Sequence, residues 1–318
     1  MRAVHLEGHA VTVKDVPLPA RPPGFALLRL LAAGICNTDL ELQRGYYGFS
    51  GTPGHEFVAE VVEAGDRKWI GKRVVGEINL ACGRCDWCHK GLGRHCPARS
   101  VLGIVNHPGA FAEFLTLPEH NLYVLPDNVS TELAVFVEPL AAACEILDQV
   151  EIPTGARVAV LGDGKLGLLI AQVLRANGYG VHVFGRHREK LKLAEAVGAT
   201  TELASGTLPV AEYGWVVEAT GSAEGLRTAA SMVRPRGTLI LKSTVHGAVA
   251  IDTAPIVVNE ITLVGSRCGR FEAALPLLDH GKVRVDDMIT ARFSLEEAPE
   301  AFAAAAERES LKVLLTPS

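Results

Sequence analysis

The stretch Leu80 to Cys96, LACGRCDWCHKGLGRHC, constrains this chain more than any other. Four of the seven cysteines lie in it, Cys82, Cys85, Cys88 and Cys96, spaced C-x2-C-x2-C-x7-C. Such spacing lets one short loop bring four sulfurs round a single tetrahedral ion, and soft thiolates select zinc. Four protein ligands close the shell, so this ion braces a loop and has no position left for a substrate. The competing reading, a disulfide cluster, needs an oxidising compartment. The N-terminus, MRAVHLEGHAVTVKDVPLP, alternates like a strand and has no apolar core of the secretory kind. Reduced thiols and a cytoplasmic location are therefore expected, with zinc favoured over disulfides. Any chemistry must then lie elsewhere.

The 318 residues leave room for two domains with ample core. A net charge of -5 and no run of Lys or Arg argue against nucleic acid or an anionic membrane as partner. No apolar stretch has the length of a membrane span. Residues 1 to about 130 hold short β-like runs, Ala26 to Ala32, Phe57 to Glu63 and Lys72 to Glu77, between Gly and Pro. That texture predicts a compact, barrel-like β domain. Beyond it, helical patterns at Glu132 to Gln149 and Lys165 to Ala176 alternate with apolar runs. These runs are Arg157 to Leu161, Gly180 to Phe184, Trp215 to Ala219 and Thr238 to Lys242. Strand and helix in alternation predict a parallel sheet and an α/β fold class. A helix at Leu295 to Arg308 and a strand at Leu311 to Thr316 end the chain.

Within the second region, RVAVLGDGKLG runs from an apolar strand through Gly162-x-Gly164-x-x-Gly167 into a helix. Gly162 permits the turn, Gly164 lets a pyrophosphate approach the backbone, and Gly167 lets helix pack on strand. The helix opens with Lys165 and Leu166, and its N-terminus favours phosphate. A bare tight turn is the bland alternative, but the flanking strand and helix favour a dinucleotide site. Asp163 would repel phosphates if it pointed inward, so it is expected to face solvent. After the next strand comes Gly185-Arg186-His187-Arg188, with no acid to bond a ribose. Gly185 makes room, and Arg186 with Arg188 are expected to clamp a 2′-phosphate, so NADP is favoured and NAD stays open.

Two polar islands remain in the first region, GICNTD at Gly34 to Asp39 and GHE at Gly54 to Glu56. Cys36 and His55 have metal-ligand chemistry, as does Glu56, and Glu138 opens an apolar helix in VEPLA. Taken singly, each has an ordinary reading: a buried thiol, a satisfied core histidine, or a helix cap formed by Thr38-x-x-Glu41.

Together these motifs resemble the zinc-dependent medium-chain alcohol dehydrogenase family over essentially the whole chain. The resemblance rests on GICNTD, GHE, the Cys82/85/88/96 lobe, VEPLA, the glycine loop and EATG at Glu218 to Gly221, in order and separation. It implies a GroES-like β-barrel catalytic domain, residues 1–130 completed by 288–318, and a Rossmann domain, 131–287, with the active site between them. It also implies that Cys36 and His55 ligate a catalytic zinc beside the structural one. Glu138 stands at the position of a further ligand, and Glu56 at that of a glutamate that approaches the metal. Asp39 would orient the ligand histidine, and Thr38 would pass on the substrate proton. Thr220 and Ser243 join the cofactor candidates. The family's reaction is hydride transfer between nicotinamide and an alcohol or carbonyl.

Three departures accompany this likeness. Glu41 stands where well-known alcohol dehydrogenases carry a proton-relaying His; a helix-cap role is favoured for it here, and a relay role stays open. Ala64 to Lys72 is shorter than usual, and Thr200 to Tyr213 is too short for a helical crossover. Tyr46, Tyr47, Phe49 and Ile104 to His107 mix aromatic and polar character near the motifs, which suits an alcohol or a polyol. A zinc-independent quinone or enone reductase and a non-catalytic cofactor-binding protein are the rival readings. The segment Glu260 to Gly265, EITLVG, reads as an edge strand through which a homodimer or homotetramer would form, or as an ordinary interior strand.

Overall fold

The computed structural model describes residues 1–245 and 248–317. It contains two compact units, Met1–Glu138 with Val285–Ser318, and Pro139–Arg284.

The first unit is built on the ten-residue strand Phe25–Gly34, whose side chains are buried on both faces for most of its length. Near-continuous apolar character is what a strand covered on both faces requires. It pairs antiparallel with Glu56–Glu63, Phe114–Pro118 and the C-terminal strand Lys312–Thr316. Lys312–Thr316 in turn runs parallel to Ile289–Ser294. The end of the chain thus completes the sheet that its beginning starts.

Register has a chemical consequence here. Gly34 stands opposite Glu56 on one side and Leu314 on the other. A Cβ at Gly34 would lie 2.6 Å from Val135 Cγ1 and 3.0 Å from both Glu56 Oε2 and Lys312 Cδ. Only glycine leaves space there for the two charged side chains.

The cysteine loop leaves and rejoins a small sheet of Asn79–Leu80, Ser100–Leu102 and Asn106–His107. The expected helix at 132–149 forms as two pieces, Thr131–Ala134 and Val137–Gln149, with Glu138 in the first turn of the longer one. The expected helix at 295–308 begins as a 3-10 turn, Leu295–Glu297, and is α-helical over Ala298–Ala306.

In the second unit, among the described residues, six parallel strands lie in the order Thr200–Leu203, Gly180–Gly185, Arg157–Leu161, Tyr213–Glu218, Val233–Leu241, Thr262–Gly265. In chain order this is 3-2-1-4-5-6, the doubly wound dinucleotide-binding arrangement. The order reverses between Arg157–Leu161 and Tyr213–Glu218, and ligands bind at the carboxyl ends of strands at such a reversal. The connection after Thr200–Leu203 contains no helix, in keeping with its length. Thr262–Gly265 is an edge strand, and its Leu263 side chain is exposed. Among the described residues no helix is long and apolar enough to cross a membrane.

Candidate active site

The lobe cysteines gather as the spacing predicts. Cys82 and Cys88 sulfurs lie 3.9 Å apart, Cys85 and Cys88 3.5 Å, and Cys85 and Cys96 3.8 Å. A tetrahedron of Zn–S bonds of about 2.3 Å has edges of about 3.8 Å, so the four sulfurs fit one zinc ion. A disulfide would need about 2 Å, and no disulfide joins the seven cysteines. The backbone N–H of Arg84 draws the Cys82 thiol down to about 6, while burial pushes the Cys88 thiol up to about 11.

The second cluster joins Cys36, His55 and Glu56, whose ligand atoms all lie within 4.8 Å of one another. A sulfur, a ring nitrogen and a carboxylate oxygen are the donor set of zinc sites that keep an open position. Cys36 lies two residues beyond the central strand Phe25–Gly34 and caps the short helix Asn37–Gln43. Asp39, fully buried, ties the cluster together. Its Oδ2 accepts from the Cys36 N–H at 2.8 Å, and its Oδ1 accepts from the Gly54 N–H at 3.2 Å. Oδ1 also lies 3.3 Å from His55 Nδ1, without the alignment of a full hydrogen bond. A histidine whose Nδ1 faces a carboxylate offers Nε2 to a metal. Burial alone would push His55 down; the charge of Asp39 and the Cys36 side chain outweigh it and hold His55 well above its ordinary value.

Thr38 Oγ1 sits 3.9 Å from Cys36 Sγ. Glu138 lies outside the three-ligand group but close enough for its charge to act on the same ions. Burial pushes its carboxyl up to about 7, with the His55 charge pulling down and the Glu56 and Glu77 charges pushing up. A dication beside Glu138 would reverse that shift.

Glu41 does not cap. The cap falls two residues before Thr38, with Cys36 at the N-cap and Asp39 as its reciprocal partner. Glu41 instead binds Arg44 Nη1 at 2.7 Å, one turn along the same helix. The local pattern is real, but Cys36 and the buried Asp39 compete better for the helix start.

One charged partner escapes sequence reasoning altogether. Lys312 is completely buried and forms an ion pair with Glu56 Oε2, and its ammonium stands 5.5 Å from the Phe136 ring centre. Burial disfavours its charge, but Glu56 restores it and holds the pKa up. The signal was a lone Lys opening an otherwise apolar strand, KVLLT.

In the second unit the glycine loop has the required geometry. Gly162 has φ 125°, and a Cβ there would lie 2.5 Å from Ala219 O. At Gly167 it would lie 2.2 Å from Gly162 O, whereas at Gly164 it meets nothing within 4 Å. Gly164 therefore opens onto free space at the start of the helix Lys165–Ala176, which no side chain caps. Lys165 and Leu166, both partly buried, form its first turn. Such a cradle fits a pyrophosphate.

Asp163, however, does not face solvent. It is buried, and its Oδ2 accepts from the His187 N–H at 2.6 Å and lies 3.0 Å from His187 Nδ1. A Cβ at Gly185 would lie 2.5 Å from Asp163 Cβ, so glycine at 185 is demanded by this aspartate. Arg186 and Arg188 are exposed on either side of His187. Thr220 and Ser243 share the buried Glu218: Thr220 N–H and Oγ1 donate to Oε1 at 2.7 and 2.6 Å, and Ser243 Oγ donates to Oε2.

Comparison with known proteins agrees with this architecture. The alcohol dehydrogenase GroES-like domain matches residues 22–127, and the glucose dehydrogenase C-terminus matches residues 131–316. A sorbitol dehydrogenase of Halalkalibacterium halodurans is 29% identical, over 100% of this chain and 98% of its own. A D-arabitol-phosphate dehydrogenase of Enterococcus avium is 29% identical, over 95% and 92%. A zinc-binding dehydrogenase of Sinorhizobium meliloti 1021, solved bound to NADP, superposes with a TM-score of 0.89 at 31% identity, over 99% of each chain. The chain belongs to the zinc-dependent medium-chain alcohol dehydrogenase family. It is an α/β oxidoreductase with a GroES-like first domain and a Rossmann second domain.

Proposed function

We propose that this chain interconverts an alcohol, in particular a polyol, and the matching aldehyde or ketone, with hydride passing to or from a nicotinamide dinucleotide. The observation that carries the reading is the mixed sulfur, nitrogen and oxygen cluster of Cys36, His55 and Glu56 beside Glu138. A quinone or enone reductase of the same fold has no use for those ligands.

Zinc held by Cys36 and His55, with Glu138 or Glu56 completing the set, would supply the Lewis acidity that eases loss of the alcohol proton. The surrounding residues position that set. Asp39 holds the Cys36 and Gly54 backbones in one frame and faces His55, so the two ligands cannot drift apart independently. Thr38 Oγ1, next to the Cys36 sulfur, is placed to accept and pass on a proton. Lys312 pairs with Glu56 and offsets the charge that this carboxylate brings to the cluster. Cys82, Cys85, Cys88 and Cys96 would hold the second zinc, which braces its loop.

For the cofactor, the absence of an acid at Gly185 and the charges of Arg186 and Arg188 favour NADP. One observation favours NAD instead: the Asp163 carboxylate lies against Gly185, where a 2′-phosphate would meet it. Titration with NADPH and NADH decides between them. Tighter NADPH binding, reduced about tenfold by Arg186→Ala with Arg188→Ala, supports the clamp; tighter NADH binding supports the Asp163 reading. Metal analysis accompanies it, with two zincs per chain expected, and one zinc released only on unfolding would sink the dehydrogenase reading.

We place the protein in the cytoplasm, where reduced thiols persist, as a homodimer or homotetramer joined through the Thr262–Gly265 edge. Sedimentation of a single monomeric species would overturn the last point.

A further inference from the structure

Beside the segment that delivers His55 lies a cavity of about 600 Å³ whose walls include Tyr47, Phe49, Ser50, Thr52, Asn106 and His107. We propose that it receives the uncharged, hydroxylated tail of the substrate, so that the chain acts on free polyols and discriminates against their phosphate esters. This rests on the dehydrogenase reading above.

The cavity is attached to the metal-ligand segment by close backbone packing. A Cβ at Gly103 would lie 2.3 Å from Gly54 O, and one at Gly109 would lie 2.2 Å from Pro53 O. Both ends of the Ile104 to Pro108 loop therefore clamp the peptide immediately before His55. The opposite wall is pinned as well: Gly51 exchanges two hydrogen bonds with Leu6, at 2.8 and 3.0 Å, and the Gly109 N–H donates to Thr52 O at 2.7 Å.

Two residues of the lining have left-handed backbones, Tyr47 with φ 59° and Asn106 with φ 52°. Among the described residues only five non-glycines do so, and an aromatic residue in that conformation is unusual. Backbone strain of this kind persists where the surrounding structure imposes it, and it concentrates at ligand sites. Here it turns the Tyr47 ring outward, 67% exposed, with the Tyr46 ring 4.1 Å away between centroids.

The chemistry of the walls selects the ligand. Tyr47 and Phe49 present flat faces to C–H groups, while Ser50, Thr52 and Asn106 offer hydroxyl and amide partners to several hydroxyls. No Lys, Arg, Asp or Glu is among the lining residues. Arg44, just before this segment, is already bound to Glu41. His107 donates from Nδ1 to Pro108 O at 2.8 Å, which leaves Nε2 as an acceptor for a hydroxyl proton. Burial lowers the pKa of His107, so it brings no positive charge near neutral pH. A phosphate dianion would meet neither guanidinium nor ammonium on these walls.

The test compares arabitol with arabitol phosphate as substrates of the zinc-replete protein with its preferred cofactor. A kcat/KM at least about tenfold higher for the free polyol is expected, since a site lacking the partner a group needs rejects it. Tyr47→Ala should raise KM for arabitol about tenfold and leave kcat within about twofold, the pattern of lost uniform binding. Ser50→Lys, at an exposed position, should narrow the preference about tenfold by adding a cation. Equal or better use of the ester, or an unchanged KM in Tyr47→Ala, would overturn the proposal. Turnover of simple alcohols without either arabitol form would overturn it too, while leaving the dehydrogenase reading standing. If no alcohol of any kind reacts, that reading falls, and calorimetry on the cofactor-loaded protein still decides the cavity. Arabitol binding that Tyr47→Ala weakens about tenfold supports the proposal; binding of the ester alone, or of neither, overturns it.

Discussion

The molecule gathers cysteine sulfur in two places, and the two places are built by opposite means. In the lobe, four like ligands come from the fifteen-residue loop Cys82 to Cys96, and backbone turns bring the sulfurs within 3.5–3.9 Å. In the other cluster, unlike donor groups come from a helix N-cap, Cys36, and from the start of a strand, where His55 directly precedes Glu56, and the buried counter-charge to Glu56 lies 256 residues away at Lys312. A bracing site needs only local geometry. A reactive site needs unlike donors, an open position and buried charges balanced from outside the segment, which only tertiary structure supplies.

The sharpest way to separate the two is His55→Ala. It should reduce kcat/KM by about 10⁴-fold, roughly 5 kcal/mol of transition-state stabilisation, with the lobe zinc retained and thermal stability little changed. Loss of both metals together would break the distinction. Lys312→Ala comes next, because it leaves Glu56 buried without a partner. A loss of about 3–5 kcal/mol in denaturant unfolding is expected, and Glu56→Gln with Lys312→Met should recover most of the stability. A neutral single variant would mean that the pair opens to water.

Cys85→Ser tests the other side. Zinc content should fall by one per chain and the melting temperature by on the order of 5–10 °C, with kcat per folded molecule within about twofold. A hundredfold drop in kcat with the metal kept would mean that the lobe does more than brace.

The smallest effect concerns a second buried histidine, which sharpens the contrast with His55. His182 Nδ1 lies 2.7 Å from both Arg157 Nη2 and the Tyr213 hydroxyl. Burial and the Arg157 charge lower its pKa, so the unfolded chain binds more protons between the folded pKa and the ordinary value of about 6.5. Stability from this group is therefore present above about pH 6.5 and declines as pH falls below it. His182→Gln should flatten the fall in stability between pH 7 and 5 relative to the parent chain, as measured by denaturant unfolding at each pH. An identical slope in the variant would show that His182 is already solvated when charged.

Legibility in the sequence followed the range of the interaction. The cysteine spacing, the glycine loop and the alternation of strands with helices are local patterns, and the sheet and the lobe formed where they pointed. Phosphate repulsion alone points Asp163 to solvent, but the His187 backbone N–H at the next strand's exit draws it inward. The Thr38 and Glu41 cap pattern was displaced because Asp39 bonds two backbones that sequence alone does not bring together, Cys36 and Gly54. The role of Lys312 is not legible locally, because its partner Glu56 is distant in the chain.

By itself, then, the sequence determined the gathering of the four lobe cysteines, the glycine turn and the class of each domain, because hydrophobic period, glycine placement and cysteine spacing act over a few residues. The tertiary structure alone decided which carboxylate is neutralised, which aspartate is buried, and that Tyr47 and Asn106 take left-handed backbones. Those outcomes depend on strand register and desolvation, and both exist only once distant segments share a sheet.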